Sequence, residues 1–307
     1  MQEKNTNLKQ TAKVVLGGGA ALGLAEIGVL EVLEKRFDIV SVIGTSMGAI
    51  VGGLYAKGLS PSEILALANL LKQKKRWFST LRLDTTLSGI FDGNGLLKWF
   101  DEWTALSSVE ECRIPFWAVS YDLNQKRSVI INKGPLAHAM RASSSIPYIF
   151  TPYICGKYAF VDGGVEYPLP LGPASSLPGE ITIAVNVLPA IFNEPELIDL
   201  NKASATSKQI RLNEVFLNTV LQNQAFIAMH SIVDNKPDII VEAWYPKGSV
   251  FGFSEADTFF EWGKQQAEEA LAGFEQPHHF ERLLRNYKKL STKLASGLPK
   301  YVTNRLP

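Results

Sequence analysis

An α/β fold, with a mostly parallel sheet covered by helices on both faces, is the architecture this chain predicts. Three observations carry it. Apolar, β-branched runs alternate with longer stretches of helical periodicity along most of the chain. The first two such runs each end in a glycine-containing turn that opens a helix. The composition is that of an ordinary globular protein, 46% hydrophobic and 20% charged over 307 residues, enough for one large domain.

The elements follow in order. The first strand is read at 13–16, "KVVL", and "GGGAALG" follows it. "LAEIGVLEVLEKR" then places Leu24, Ile27, Leu30 and Val32/Leu33 on one helix side and Glu26, Glu31 and Glu34 on the other, polar side. A second strand is expected over 39–43, with a helix starting near Met47. Residues 39–56 carry no charge and approach the length of a bilayer span. Their four glycines, and the change from β-branched to small residues, favour strand, turn and helix instead. "GLSPSEILALANLL" reads as a turn and a helix, with Ser60 capping before Pro61. "PFWAVSYDLNQKRSVIIN" reads as two strands joined by a polar loop. "YAFVDGG", "ITIAVNVL" and "PDIIVEAW" are further strands. Helices are expected over 205–233 and in "EADTFFEWGKQQAEEALAGF". The domain organisation read from this is a flexible tail at 1–12, one domain at 13–275 and a helical extension at 276–307. Residues 188–205 are the expected mobile connection.

Several function classes lose support at once. Net charge is +1, so bulk attraction to nucleic acid is not expected. The two cysteines, Cys112 and Cys155, lie far apart and suit a reducing cytoplasm. The four histidines show no zinc spacing, and no metal or other cofactor is expected. The polar N-terminus has no signal-peptide core, so a cytoplasmic protein is expected.

The stretch "VIGTSMGAI" carries the chemistry. G-x-S-x-G after a β-branched strand and before a helix places Ser46 on a sharp turn, with Gly44 and Gly48 allowing strand and helix to approach. The helix dipole then favours negative charge developing at Ser46. "GGGAALG" at the end of the first strand offers backbone N–H groups for an oxyanion. Its rival reading is a dinucleotide fingerprint. The acidic residue that fold needs after the second strand is replaced here by Gly44-Thr45-Ser46. No histidine follows a strand end in a small-residue loop, so His138, His230, His278 and His279 read as structural or surface residues. Asp162 does end an apolar strand, with Gly163 and Gly164 allowing close approach of the backbone. On its own it is a general base or an Asp-Gly turn such as Asp92-Gly93.

Taken together, "GGGAALGLAEIGVLEVLE", "VIGTSMGAIVGGLYAKG", "MRASSSIPYIFTP" and "FVDGGVEYPLP" resemble the patatin-like phospholipases, particularly their bacterial branch. The resemblance runs from about residue 13 to the late "SEADTFFEWGKQQAEEAL". It implies a three-layer α/β/α sandwich and a serine–aspartate dyad without histidine. It assigns Ser46 as nucleophile, Asp162 as base, and Gly18, Gly19 and Ala20 as oxyanion donors. Hydrolysis of lipid acyl esters through an acyl-serine is the implied activity. An impaired lipid- or protein-binding scaffold, or an acyltransferase with the same dyad, are the alternatives.

Two positions depart from the family pattern. Leu22 stands where a basic residue is usual, which predicts a weaker field at the oxyanion loop, with Arg141 as a replacement charge. Tyr167 stands where asparagine is usual and puts the support of the Asp162 loop in question. "KQKKRWFSTLRL" (72–83) is either a peripheral contact with the inner membrane surface or a solvated helix end. "LSGIFDGNGLLKWF" is the candidate lid or access loop.

Overall fold

The computed structural model describes residues 9–70, 88–188 and 212–274. The stretches 72–83, 189–205 and 276–307, and with them His278 and His279, lie outside the described residues. β1 (Thr11–Leu16) leads through a 3-10 turn (Ala20–Leu24) into α1 (Ala25–Arg36). β2 (Asp38–Thr45) leads directly into α2 (Met47–Lys57), so residues 39–56 are strand and helix rather than one span. Among the described residues, no helix is long and apolar enough to cross a membrane. α3 (Pro61–Leu70) starts at a capping box: Glu63 N–H donates to Ser60 Oγ at 3.3 Å, and Ser60 N–H to Glu63 at 2.8 Å.

β3 (Gly89–Phe91) and α4 (Asn94–Thr104) follow, then the hairpin of β4 (Phe116–Asp122) and β5 (Arg127–Ile131). α5 (Leu136–Ser143), β6 (Tyr148–Phe150), β7 (Tyr153–Cys155), β8 (Tyr158–Asp162) and the short α6 (Leu171–Ala174) lead to β9 (Ile181–Asn186). α7 (Leu212–Asn235), β10 (Ile239–Glu242) and α8 (Ala256–Phe274) complete the described chain.

The main sheet has the order β10-β9-β1-β2-β4-β8-β7, with β5 also on β4, and β3 pairs separately with β6. β10, β9, β1, β2 and β4 are mutually parallel, while β5, β7 and β8 run antiparallel to their neighbours. Alternate strand residues feed two separate cores. Val14, Leu16, Val42, Phe116 and Val185 pack with α1–α5 and α8. Val15, Ile43, Val119, Ala184 and Ile240 pack with α6 and α7 on the other face. A strand buried on both faces needs no polar alternation, which is why these runs are continuously apolar. The result is a three-layer α/β/α sandwich.

One helix face corrects the sequence reading. Glu26, placed on the polar side of α1, is fully buried. Its carboxyl turns toward the turn after β1 and the start of α2: a Cβ on Gly23 would meet both Met47 and, at 3.6 Å, Glu26 Oε2. Elsewhere on α1, α8 lies in backbone contact. A Cβ on Gly28 would come within 1.9 Å of Phe260 O, and one on Gly263 within 1.9 Å of Ala25 O. α1 therefore buries most of its circumference, and its heptad-like pattern describes only the sheet side.

Candidate active site

β1 and β2 are parallel neighbours, so their turns leave the same edge of the sheet side by side. At the end of β2 the chain reverses in one residue. Ser46 has φ 55° and ψ −120°, a strained conformation for a residue with a side chain. α2 begins at Met47 and aims its N-terminus at Ser46. The two flanking glycines sit where nothing larger fits. A Cβ on Gly44 would be 2.2 Å from Gly48 O, and one on Gly48 2.6 Å from Leu16 O. Gly48 is thus the contact between the two turns. The serine is only 5% exposed, and its N–H donates to Ser143 Oγ at 2.9 Å.

Strand register brings Asp162 to it. Thr45, the last residue of β2, pairs with Val119, and the next residue of β4, Ser120, pairs with Asp162. β5 pairs with Val119 and with Ser120, so it takes the opposite edge of β4. β2 and β8 therefore lie end to end along one edge of β4, and Ser46 and Asp162 meet where they abut. The Asp162 carboxylate accepts from Gly164 N–H at 2.8 Å, and the Ser46 side chain acts on it as a hydrogen-bond donor. Burial pushes its pKa up to about 6, against the pull of these two donors. Its own N–H donates to Ser145 O at 2.9 Å.

The turn after β1 supplies backbone donors, although not all three that were expected. Gly18 N–H donates to Pro168 O at 2.7 Å, so its hydrogen is used in holding the turn against the segment after Asp162. Gly17 N–H is likewise used by Val185 O at 3.2 Å. The N–H groups of Gly19 and Ala20 have no backbone acceptor among the described residues, and Ala20 carries φ 50°. Gly18 instead gives space: a Cβ there would stand 3.2 Å from Ser46 Cβ.

Leu22 and Arg141 do not take the places foreseen for them. Leu22 is 3% exposed and packs with Phe259 around Gly248, off the site. Arg141 is buried beneath the Asp92-Gly93 turn. It donates to Gly93 O at 3.2 Å, Thr151 O at 3.0 Å and Ser145 Oγ, and burial lowers its pKa to about 10. It ties α5, β6 and the turn before α4 together, and none of these bonds goes to the oxyanion loop. Support for the Asp162 loop comes from the backbone of Tyr167, whatever its side chain: its O accepts from Thr45 Oγ1 at 2.8 Å and its N–H donates to Gly163 O at 2.9 Å. His138 pairs with Tyr153 at 2.5 Å, and His230 packs edge-on against Phe226. Neither stands at Ser46.

The serine run in "ASSSIP" has structural work that spacing did not predict. Ser143 accepts from Ser46 N–H and donates to Val119 O at 2.5 Å. Ser120 Oγ donates to Val161 O at 2.7 Å. Both fasten the place where β2 and β8 abut. A buried serine in a strand or at a helix end needs a partner, and that requirement is the only signal the sequence held for them. Gln224 on α7 was also not foreseen: it lines the site beside Asp162. Among the described residues, no group of three or more His, Cys, Asp or Glu could hold a metal ion.

Two cavities meet at Ser46. One runs among α1, α2, α3 and α4; the other lies between β3–β6, α7 and the segment around Val250. Leu96, Trp99 and Phe100 of α4 wall the first cavity and are buried, so the α4 half of the segment expected as a lid or access loop is part of the core, while Ile90 before it is exposed.

The patatin-like phospholipase family model matches residues 14–175, more than half of the chain. An uncharacterized NTE family protein of Mycobacterium bovis is 37% identical over 178 residues, 57% of this chain and 48% of that protein. Patatin-like phospholipase domain-containing protein 7 of Rattus norvegicus is 30% identical over 179 residues, 57% of this chain and 13% of that protein. Lysophospholipase nte1 of Emericella nidulans is 26% identical over 190 residues, 60% of this chain and 12% of that protein. This chain thus spans less than half the length of each of these relatives. Its matched segment holds both turns, the serine run and the Asp162 loop, and the chain belongs to the patatin-like phospholipase family.

Proposed function

We propose that this protein is a lipid acyl hydrolase with Ser46 as nucleophile and Asp162 as general base. The observation that carries the reading is the meeting of a strained, buried serine and a buried carboxylate at the junction of two apolar cavities. A pKa of about 6 leaves Asp162 mostly ionised at pH 7 and a better base than an ordinary carboxylate. It takes the Ser46 proton as Oγ attacks the ester carbonyl. The N–H groups of Gly19 and Ala20 and the N-terminus of α2 receive the oxyanion. Asp162 returns the proton to the leaving alcohol, and an acyl-serine remains. Water deprotonated by Asp162 then releases the fatty acid. Relatives named as phospholipase-domain proteins and as a lysophospholipase support a lipid ester as substrate.

The test compares wild type, Ser46→Ala and Asp162→Asn on a short p-nitrophenyl acyl ester, with circular dichroism for folding and fluorophosphonate labelling read by mass spectrometry. Each variant should lose about 10³-fold or more in kcat while staying folded. Labelling should map to Ser46. Wild-type kcat/KM should rise from pH 5 to 7 with an apparent pKa of about 6 as Asp162 ionises. A folded wild type that neither labels nor turns over would put the scaffold reading first.

A further inference from the structure

The two cavities differ in a way that bears on which lipid the site takes; the inference rests on the acyl-hydrolase reading. The first cavity follows one face of α2 through Met47, Ile50, Val51 and Leu54. Seven helical rises from Met47 to Leu54 make that path about 10 Å long. Among the described residues no ionisable side chain lines it, and besides the indoles of Trp99 and Trp103 its polar side chains are those of Ser46 and Ser144. Such a wall suits a fatty acyl chain.

The second cavity holds about 160 Å³ against about 80 Å³ for the first. Asp162 lines the second and not the first. The proton that Asp162 carries must reach the leaving oxygen, so the alcohol half of the ester lies on this side of Ser46. The chemistry of this second wall therefore reports on the leaving alcohol. Among the described residues its polar side chain apart from Ser46 and Asp162 is Gln224; the rest includes Phe91, Ile149, Val220, Leu221 and Phe251. The Gln224 amide stands beside the base: its Nε2 is 2.4 Å, and Asp162 Oδ1 3.0 Å, from the point a Cβ on Gly164 would occupy. Among the described residues no lysine or arginine lines the cavity.

A lysophospholipid leaves as a glycerol phosphodiester. That alcohol carries no acyl chain to cover the apolar wall, and its phosphodiester, which the leaving alcohol of a diacyl phospholipid shares, does not separate the two classes. The leaving alcohol of a diacyl lipid carries a second acyl chain that covers the same wall, and its remaining ester can accept from the Gln224 amide. We infer that this site takes a two-chain glycerolipid, with the scissile acyl chain in the cavity along α2 and the second chain in the cavity beside Asp162, in preference to a single-chain lysolipid.

The experiment measures fatty acid release from dioleoyl phosphatidylcholine, dioleoylglycerol and oleoyl lysophosphatidylcholine, each at one mole fraction in the same detergent micelles. The kcat/KM ratio of the faster two-chain lipid to the lysolipid should be about tenfold or more; comparing the two diacyl lipids shows whether the headgroup matters. Val220→Trp, which fills the second cavity, should lower that ratio at least about fivefold. Phe251→Asp should do the same from a half-exposed position where folding is not at risk. Leu67→Trp, which fills the first cavity, should lower the rate on all three lipids together. A lysolipid cleaved as fast as the diacyl lipids, or a ratio that neither second-cavity variant moves, overturns the inference. Failure of all lipids together with the short ester would instead overturn the hydrolase reading, and this inference with it.

Discussion

The turn after β1 and the turn after β2 leave the same sheet edge and both lead to a helix, yet they are built for opposite tasks. The second reverses at a single residue, Ser46, and enters α2 at once. The first spends Gly17, Gly18 and Gly19 and a 3-10 turn before α1 begins. A one-residue reversal projects one side chain and fixes it. A longer, glycine-built turn presents backbone N–H groups, some tied to the protein and some left for a ligand. The supports differ as well. The Ser46 turn is held by a hydroxyl, Ser143, whereas the first turn is held by backbone acceptors, Val185 O for Gly17, Pro168 O for Gly18 and Val250 O for Ala21.

That contrast can be tested from its strongest element to its weakest. Leu22→Arg should be the most damaging change, although it restores the residue type usual in the resemblance. The guanidinium would be forced among Phe259 and Gly248 without an acceptor, at a cost of about 3 kcal/mol or more. Urea denaturation would show it. A gain in activity with an unchanged midpoint would mean that the side chain turns into the site. Gly48→Ala comes next. Its methyl would press on Leu16 O and Gly17 O, push the two turns apart, and cost about 1–3 kcal/mol. Activity on the short ester should fall more than stability accounts for, because donors and nucleophile lose their mutual position. Ser143→Ala should cost about 1 kcal/mol, by leaving Ser46 N–H and Val119 O without a partner.

Glu26→Gln has the smallest effect at acid pH, where none is expected. Burial raises the Glu26 pKa well above 4.5, and the opposing pull of Gly17 N–H is weak because that group is directed at Val185 O. The folded protein therefore keeps a proton that the unfolded chain gives up above about 4.5. Stability from this group is full below that pH and declines as pH rises toward the folded value. Neither carboxyl oxygen makes a hydrogen bond that the amide would lose. Denaturation midpoints from pH 5 to 9 should fall for wild type and stay flatter for the variant. Parallel curves would mean that Glu26 ionises freely in the fold.

Whereas α4, α5 and the short β3, β6 and β7 were not legible in the sequence, the parallel strands and the helices α1, α2, α3, α7 and α8, the reversal at Ser46 and the strand end at Asp162 were. Each depends on neighbours a few residues away: apolar periodicity, a glycine two places on either side, a cap at Ser60. What lay beyond reach depended on residues far along the chain. The meeting of Ser46 with Asp162 follows from β2 and β8 sharing one edge of β4. The occupation of Gly18 N–H follows from Pro168, the burial of Glu26 from Met47 at the start of α2, and the place of Gln224 from α7 reaching the Asp162 loop. Local pattern reports the contacts a segment makes along itself, so it settles where elements begin and end. Which donors are already used, which carboxyl is dry and which side chains share a cavity are decided by packing between elements, where hydrogen bonds and burial are assigned.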